Sequence, residues 1–192
     1  MEIEELLASQ AATQHLLDLG HKRIAYLTGP PTAPWAHERF EGYRRALRDA
    51  GIERGRQAGL PVGSTIEDGT NATLQMLNEG CNATAVQAVS DLVAIGCANA
   101  LISQGLKIPD DISIVGFGNI LTAEYFQVPL TTIRQPKHRL GVAAMETMMA
   151  LLRGEKVQPK RLPAELVQRK APRRPKPNVS LRDNSSVICW TE

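Results

Sequence analysis

The chain has 192 residues, a formal net charge of +2 and 43% hydrophobic residues, few of them aromatic. This length suits one ordinary domain with a sizeable core, and so small a charge gives no argument for nucleic-acid binding. Three widely spaced cysteines, Cys81, Cys97 and Cys189, argue against a disulfide framework or a zinc site and suit a reducing cytoplasm. No apolar run approaches the roughly 20 residues of a membrane span, and the acidic N-terminus is unlike a signal peptide.

The first half of the chain alternates predicted helices and apolar strands. Residues 2–19 place apolar side chains at helical spacing, and the strand KRIAYLTG follows the glycine at position 20. An amphipathic helix is predicted over residues 35–50, and a second over 67–79. The segment ATAVQAVS that comes next is again typical of a strand.

The second half begins with the clearest helix, over residues 90–104, with Ser90 or Asp91 as its N-cap. Two strands, DISIVGF and LTTIRQP, then precede a helix predicted over 137–153, and a final strand in KRLPAELVQRKA is interrupted by Pro163. Residues 170–192 are rich in Pro, Arg and Lys and predict a poorly ordered tail.

Solid apolar strands that alternate with helices predict an α/β fold, a doubly wound and mostly parallel sheet with helices on both faces. Ligands of such folds lie beyond the C-terminal ends of the strands. The polar, glycine and aromatic residues predicted at those ends are Trp35, Arg39, Ser90, Asp91, Gly118 and Asn119. An aromatic face, a forked donor and a carboxylate suit a sugar or another small hydroxylated or planar ligand. Alternatively, Asp91 only caps a helix and Arg39 only lies on the surface.

Other chemistries find little support in the sequence. The stretch GFGNIL only partly matches a dinucleotide-binding motif, lies at the fourth predicted strand instead of the first, and lacks the acidic residue expected about 20 positions later. No G-x-S-x-G elbow is present, and the four histidines lack metal-binding spacing. We therefore expect neither an enzyme, nor a cofactor, nor a metal.

Five blocks of the sequence resemble, in order and spacing, the LacI/GalR family of bacterial transcription regulators. The resemblance covers residues 9 to about 170, and its blocks are HLLDLGHKRIAYLTGP, ERFEGYRRALRDAGI, ATAVQAVSDLVAIGCANALISQGLKIPDDISIVGFGN, VPLTTIRQPKHRLGVAAMETMMALLRGE and LPAELVQRK. It implies a two-lobed effector-binding core, shaped like the periplasmic sugar-binding proteins, that follows a helix-turn-helix and a hinge helix.

The resemblance also implies how the core, residues 1–169, is divided. Residues 9–130 would form the DNA-distal lobe, 131–154 a remnant of the DNA-proximal lobe, and 160–169 the return to the distal lobe. The helix-turn-helix and the hinge helix are absent from this sequence, so we do not expect this chain alone to bind an operator. The apolar face of the helix at 137–153 would lack its partner sheet. We expect another chain to cover that face, or the helix to repack on its own lobe, or the fragment to aggregate.

By the same resemblance, Arg39 matches the family arginine that holds hydroxyl or carboxylate groups of the effector, and Trp35 falls in the preceding effector-contacting loop. Ser90 stands where sugar-binding members often have Asn, and Asp91 follows it. Gly118 departs from the family, because many members have an Asp there that accepts hydrogen bonds from the effector. Either Asn119 takes part of that role, or the effector is anionic, such as a sugar acid that pairs with Arg39.

Family members form dimers through the distal lobe. The positions carried over lie on the helix after Ser90 and near residue 125: Ala94, Cys97, Ala98, Leu101, Tyr125 and Phe126. Small residues on that helix allow the close approach of an identical helix. Burial of the same residues inside one chain explains them equally well.

The sequence therefore predicts the effector-sensing and dimerisation part of a cytoplasmic LacI-type regulator, whose ligand is a small sugar-like or sugar-acid molecule. The alternative is a solute-binding protein of a sugar transport system, which shares the two-lobed fold but normally carries an export signal. A small α/β enzyme is a third hypothesis, but the sequence shows no pattern that pairs a nucleophile with a general base.

Overall fold

Strands and helices alternate along the residues that the computed structural model describes, which are 2–52, 59–60, 62–169 and 172–175. The strands are β1 (Glu2–Ile3), β2 (Ile24–Leu27), β3 (Gly59–Leu60), β4 (Ala85–Ala88), β5 (Ser113–Gly118), β6 (Thr131–Arg134), β7 (Arg161–Leu162) and β8 (Glu165–Val167). The helices are α1 (Glu5–Asp18), α2 (Pro34–Asp49), α3 (Ile66–Asn78), α4 (Asp91–Ser103), α5 (Leu121–Tyr125) and α6 (Lys137–Leu152).

Six of these strands form one sheet in the order β3-β2-β4-β5-β6-β8. All neighbours in it are parallel except β6 and β8. The strand order reverses its direction between β2 and β4, which is the point where α/β sheets of this kind place their ligands. The predicted doubly wound, mostly parallel sheet is confirmed.

Helices cover both faces of this sheet. Consecutive residues of a strand point to opposite faces. On β5, a Cβ at Gly116 would meet Asp91 and Ala94 of α4, whereas the Phe117 ring contacts Arg39 of α2. Helix α1 packs on α2, and α3 packs on α4. The two helix pairs therefore lie on opposite faces and bury β2, β4 and β5 completely.

The lobe boundary predicted at residue 131 is wrong by one strand. Strand β6 pairs with β5 through Thr131–Arg134 and belongs to the same sheet as the rest of the predicted distal lobe. Strand β8 pairs with the other edge of β6, as the predicted return to that lobe requires. Strand β7 lies apart and pairs with β1 in a two-stranded sheet. It ends before Pro163, which lacks the N–H needed to continue a ladder.

The residues of α4 that were predicted at a dimer interface lie in the core of their own chain. Four of them are fully buried: Ala94, Cys97, Ala98 and Leu101. A Cβ at Gly96 would overlap the backbone carbonyl oxygen of Ile66 in α3. The small residues therefore let two helices of one chain approach closely. The prediction that these four side chains contact a second chain is wrong, whereas Tyr125 is exposed and Phe126 half-buried.

Helix α6 extends beyond the sheet with its apolar side chains in solvent. It buries no residue, and six of its large apolar side chains are exposed: Val142, Met145, Met148, Met149, Leu151 and Leu152. The described part of the lobe therefore does not repack against this helix, which was one of the three predicted outcomes.

The predicted tail at 170–192 lies mostly outside the described residues. Within it, residues 172–175 return to the N-terminal end of the sheet. The carbonyl oxygen of Arg173 accepts hydrogen bonds from His21 Nε2 at 2.7 Å and from the Ser113 hydroxyl at 3.1 Å. This short segment is thus held by the body of the lobe. None of the helices that the structure describes is both long and apolar enough to cross a membrane.

Candidate functional site

Arg39 lies at the point where the strand order reverses. It projects from α2, and its Nη1 donates a 2.6 Å hydrogen bond to the carbonyl oxygen of Val89, directly after β4. The C-terminal ends of β2 and β4 meet here, because these two strands are parallel neighbours. The sequence prediction that Arg39 belongs to a strand-end site agrees with this position, and the alternative of a solvated surface arginine does not.

A carboxylate and two aromatic rings surround the guanidinium of Arg39. Nε lies 2.7 Å from Oε2 of Glu5, in the first turn of α1, and only 6% and 12% of these two side chains are exposed. The guanidinium carbon lies 3.6 Å from the centroid of the Phe117 ring and 4.7 Å from that of the half-buried Trp35 ring. The arginine is therefore held rigidly, and its position depends on contacts from α1, α2 and β5.

Asp91 forms a second cluster on the other face of β5. Its buried carboxylate accepts hydrogen bonds from the Ile120 backbone N–H at 2.9 Å and from the Thr132 hydroxyl at 2.5 Å. Burial raises the pKa of Asp91, and these two hydrogen bonds oppose that rise. The aspartate thus joins α4 to the loop after β5 and to β6, which is more than the helix capping considered as an alternative.

Gly118, where the sequence departs from the family pattern, has a backbone conformation that favours glycine. Gly118 has φ +132°, a conformation that a residue with a side chain adopts only under strain. Asn119 follows with φ +48°, its N–H donates to Thr132 Oγ1, and its side-chain oxygen accepts a 2.8 Å hydrogen bond from Arg169 Nη2. The Asn119 side-chain oxygen is therefore already engaged by Arg169.

Ser90 is the N-cap of α4, as its position in the sequence suggested. Its hydroxyl accepts a hydrogen bond from the Val93 N–H at 3.3 Å and caps α4. Trp35 lies in the first turn of α2, close to Arg39. The structure thus brings the predicted residues to one edge of the sheet, in two clusters that the backbone of β5 separates.

Four residues of this site were not predicted from the sequence: Glu5, Phe117, Thr132 and Arg169. Glu5 belongs to an acidic N-terminal stretch whose sequence indicates only a solvent-exposed start of a helix. In the structure it accepts a hydrogen bond from Arg39, 34 positions away. Arg169 follows the last strand and also lies 3.3 Å from Glu124. No spacing rule relates such distant pairs, because only the packing of α1 on α2 and of β8 on β6 brings them together.

The side chains at the strand ends are of kinds that bind organic ligands. Throughout the described ranges, no group of three or more His, Cys, Asp or Glu side chains is arranged to hold a metal ion. The strand ends instead bring together the half-buried indole ring of Trp35 and the almost completely buried side chains of Phe117, Arg39 and Asp91. Such groups hold a hydroxylated ring by stacking and by hydrogen bonds.

Comparison with known proteins identifies several relatives. The model of the periplasmic binding protein-like domain matches residues 13–171. Among curated proteins, the chain is 38% identical over 157 residues to the HTH-type transcriptional repressor CytR of Escherichia coli (strain K12), covering 82% of this chain and 46% of that protein. It is 36% identical over 163 residues to the ribose operon repressor of the same strain, covering 82% of this chain and 48% of the repressor. The chain thus spans about half the length of these curated relatives.

Solved structures agree with these matches. A LacI family transcriptional regulator from Enterococcus faecium with bound ribose superposes with a TM-score of 0.84 at 32% identity, covering 91% of this chain and 65% of that one. A dimeric Lac repressor with an 11-residue C-terminal deletion gives a TM-score of 0.86 at 31% identity, covering 91% and 64% of the two chains. The relatives that match are therefore LacI-family repressors and the sugar-binding cores of such regulators.

Proposed function

Because the chain belongs to the periplasmic binding protein-like domain family and its relatives are LacI-family repressors, we propose that it is the effector-binding part of a cytoplasmic LacI-type transcription regulator. Effector binding in such a regulator shifts the populations of two arrangements of its lobes. No DNA contact is assigned to the residues of this chain. We propose operator recognition only for a whole protein of this type.

The observation that carries the proposal is the position of Arg39. A buried guanidinium lies at the reversal point of the sheet, with aromatic rings of Trp35 and Phe117 beside it. Its bonds to Glu5 and Val89 use Nε and Nη1, and Nη2 takes part in neither. A donor held in this way, next to an aromatic face, suits a hydroxyl group of a sugar ring.

The relatives suggest which sugars to try. One matching structure holds ribose, a further one is a complex with cellobiose, and one curated relative is a ribose operon repressor. We propose a small sugar of the ribose type as the effector. The alternative of a transport protein shares the fold, but the two curated relatives described above are repressors.

Dimerisation is proposed through the exposed apolar residues near the end of β5. Leu121 and Tyr125 on α5 are 75% and 76% exposed, and Phe126 follows them half-buried. Exchange of Tyr125 for Arg should shift the sedimentation of the protein toward the monomer, because a charge would have to be buried in the interface. An unchanged dimer would place the interface elsewhere.

Calorimetric titration with D-ribose and with cellobiose tests the effector function. One of these sugars should bind to the wild-type chain, and Arg39→Lys should weaken that binding by about tenfold, because Lys lacks the fork that holds Val89, Glu5 and the ligand together. Arg45→Lys is the matched control, since Arg45 lies on the same helix in an exposed pair with Asp49. Equal binding by wild type and Arg39→Lys would contradict the proposed site.

A further inference from the structure

The charge of Arg39 is already balanced inside the protein. Glu5 Oε2 lies 2.7 Å from Arg39 Nε, and both side chains are almost completely buried. The carboxylate comes from α1 and the guanidinium from α2, which pack tightly on each other. Charges this deeply buried interact strongly, because little water screens them.

Arg169, the other arginine of the site, also has a carboxylate partner. Arg169 pairs with Glu124 and donates to Asn119. The carboxylate of Asp91 accepts two hydrogen bonds, and Arg169 and Lys137 act on it as the nearby positive charges. Among these groups, both Arg39 and Arg169 therefore already have a carboxylate partner within the protein.

A second carboxylate at Arg39 would face two costs. It would have to displace Glu5 from Nε, or bind at another edge of the guanidinium with Glu5 still in place. In the first case Glu5 becomes a buried charge without its partner, and in the second two carboxylates share one cation. A hydroxyl group meets neither cost, because it accepts a hydrogen bond from a guanidinium N–H without bringing a charge.

We propose that Glu5 is a specificity-determining residue, a built-in counter-ion that makes the site of Arg39 select neutral sugars over sugar acids. This inference rests on the proposed effector site and refines its ligand class. It replaces the sugar-acid alternative that the sequence suggested from the missing carboxylate at Gly118. The glycine there serves the backbone, and the charge balance is decided at Glu5.

The first test compares D-ribose with D-ribonate by calorimetry. Wild type should bind the neutral sugar at least about tenfold more tightly, and Glu5→Gln should shift the ratio toward ribonate by about tenfold, the usual scale of one charged hydrogen bond. Glu5→Asp should keep the wild-type preference because it keeps the charge. Glu41→Gln removes a half-buried carboxylate of α2 that pairs with Arg44 and should also change nothing. A wild-type protein that binds ribonate as tightly as ribose overturns the inference.

The second test needs no sugar and separates this inference from the proposed function. Glu5→Ala leaves room beside Arg39, so acetate should raise the melting temperature of this variant more than sodium chloride of equal ionic strength does. Wild type and Glu41→Ala should show no such difference, because Glu5 already occupies the position in both. A melting profile of Glu5→Ala that acetate leaves unchanged overturns the inference, whether or not any sugar binds to the wild type.

Discussion

Asp91 packs directly against the backbone of Gly116, where a Cβ atom would overlap its Oδ1. The glycine thus makes the space in which the carboxylate reaches Ile120 and Thr132. Gly116 and Gly118 flank Phe117 at the end of β5, and glycine is required at these two positions for different structural reasons. Gly116 admits a side chain from α4, whereas Gly118 adopts a backbone angle that other residues avoid.

We expect Gly116→Ala to lower the free energy of unfolding by about 2–4 kcal/mol, because the new methyl group displaces a buried carboxylate from its hydrogen-bond partners. Gly141→Ala is the control. Gly141 lies in α6 with no atom within 4 Å of an added Cβ, so its exchange should raise helix stability by up to about 1 kcal/mol. Urea unfolding followed by circular dichroism measures both, and equal effects would contradict the packing of Asp91.

Two buried tyrosines allow a second comparison. The Tyr43 hydroxyl donates a 2.6 Å hydrogen bond to the carbonyl oxygen of Ile24, whereas the buried Tyr26 hydroxyl has no hydrogen-bond partner among the described residues. Burial raises the pKa of Tyr26, and the nearby Ser9 hydroxyl opposes that rise while it accepts a hydrogen bond from Gln87.

Tyr43→Phe should therefore lower the free energy of unfolding by about 1–2 kcal/mol, whereas Tyr26→Phe should leave it unchanged or raise it. The rings themselves stay packed in both variants, since Tyr26 and Tyr43 contact each other and both contact Phe40. Thermal and urea denaturation would show the difference. A loss at Tyr26 as large as that at Tyr43 would mean that the Tyr26 hydroxyl forms a hydrogen bond.

Two histidines make stability depend on pH. Burial lowers the pKa of His21 below 6.5, as it does for His15. In the pH range between the lowered value and 6.5, the unfolded chain binds more protons than the folded one. The free energy of unfolding should therefore fall as the pH drops below about 6.5.

His21 also holds residues 172–175 through the carbonyl oxygen of Arg173. A carbonyl only accepts hydrogen bonds, so Nε2 carries the proton of the neutral ring, and Nδ1 accepts a hydrogen bond from the Thr84 hydroxyl. His21→Gln should flatten the decline in stability between pH 7 and pH 5, as measured by urea denaturation at each pH. Exchange of the exposed His37 for Gln serves as the control, and an identical slope in the two variants would remove His21 from this role.

The apolar face of α6 leads to a prediction about solubility. Met145 and Met149 are exposed, so the double variant Met145→Lys, Met149→Glu should change the free energy of unfolding by less than about 0.5 kcal/mol. The same variant should bind less of a hydrophobic dye and sediment with less association. Met76→Ala, in the core, should instead cost about 2–5 kcal/mol. A large loss of stability in the double variant would show that α6 is packed.

The sequence by itself determined the order of strands and helices, because solid apolar runs, helical spacing and glycine stops are local patterns. It also placed Arg39, Asp91 and Gly118 near the C-terminal ends of the strands, where parallel sheets bind their ligands. Only the tertiary structure decided that Glu5 neutralises Arg39, that the small residues of α4 face α3, and that β6 belongs to the main sheet. These facts depend on which surfaces of distant segments pack together. A local pattern of apolar and polar residues shows which face of an element is buried, but it does not show which distant segment packs against that face.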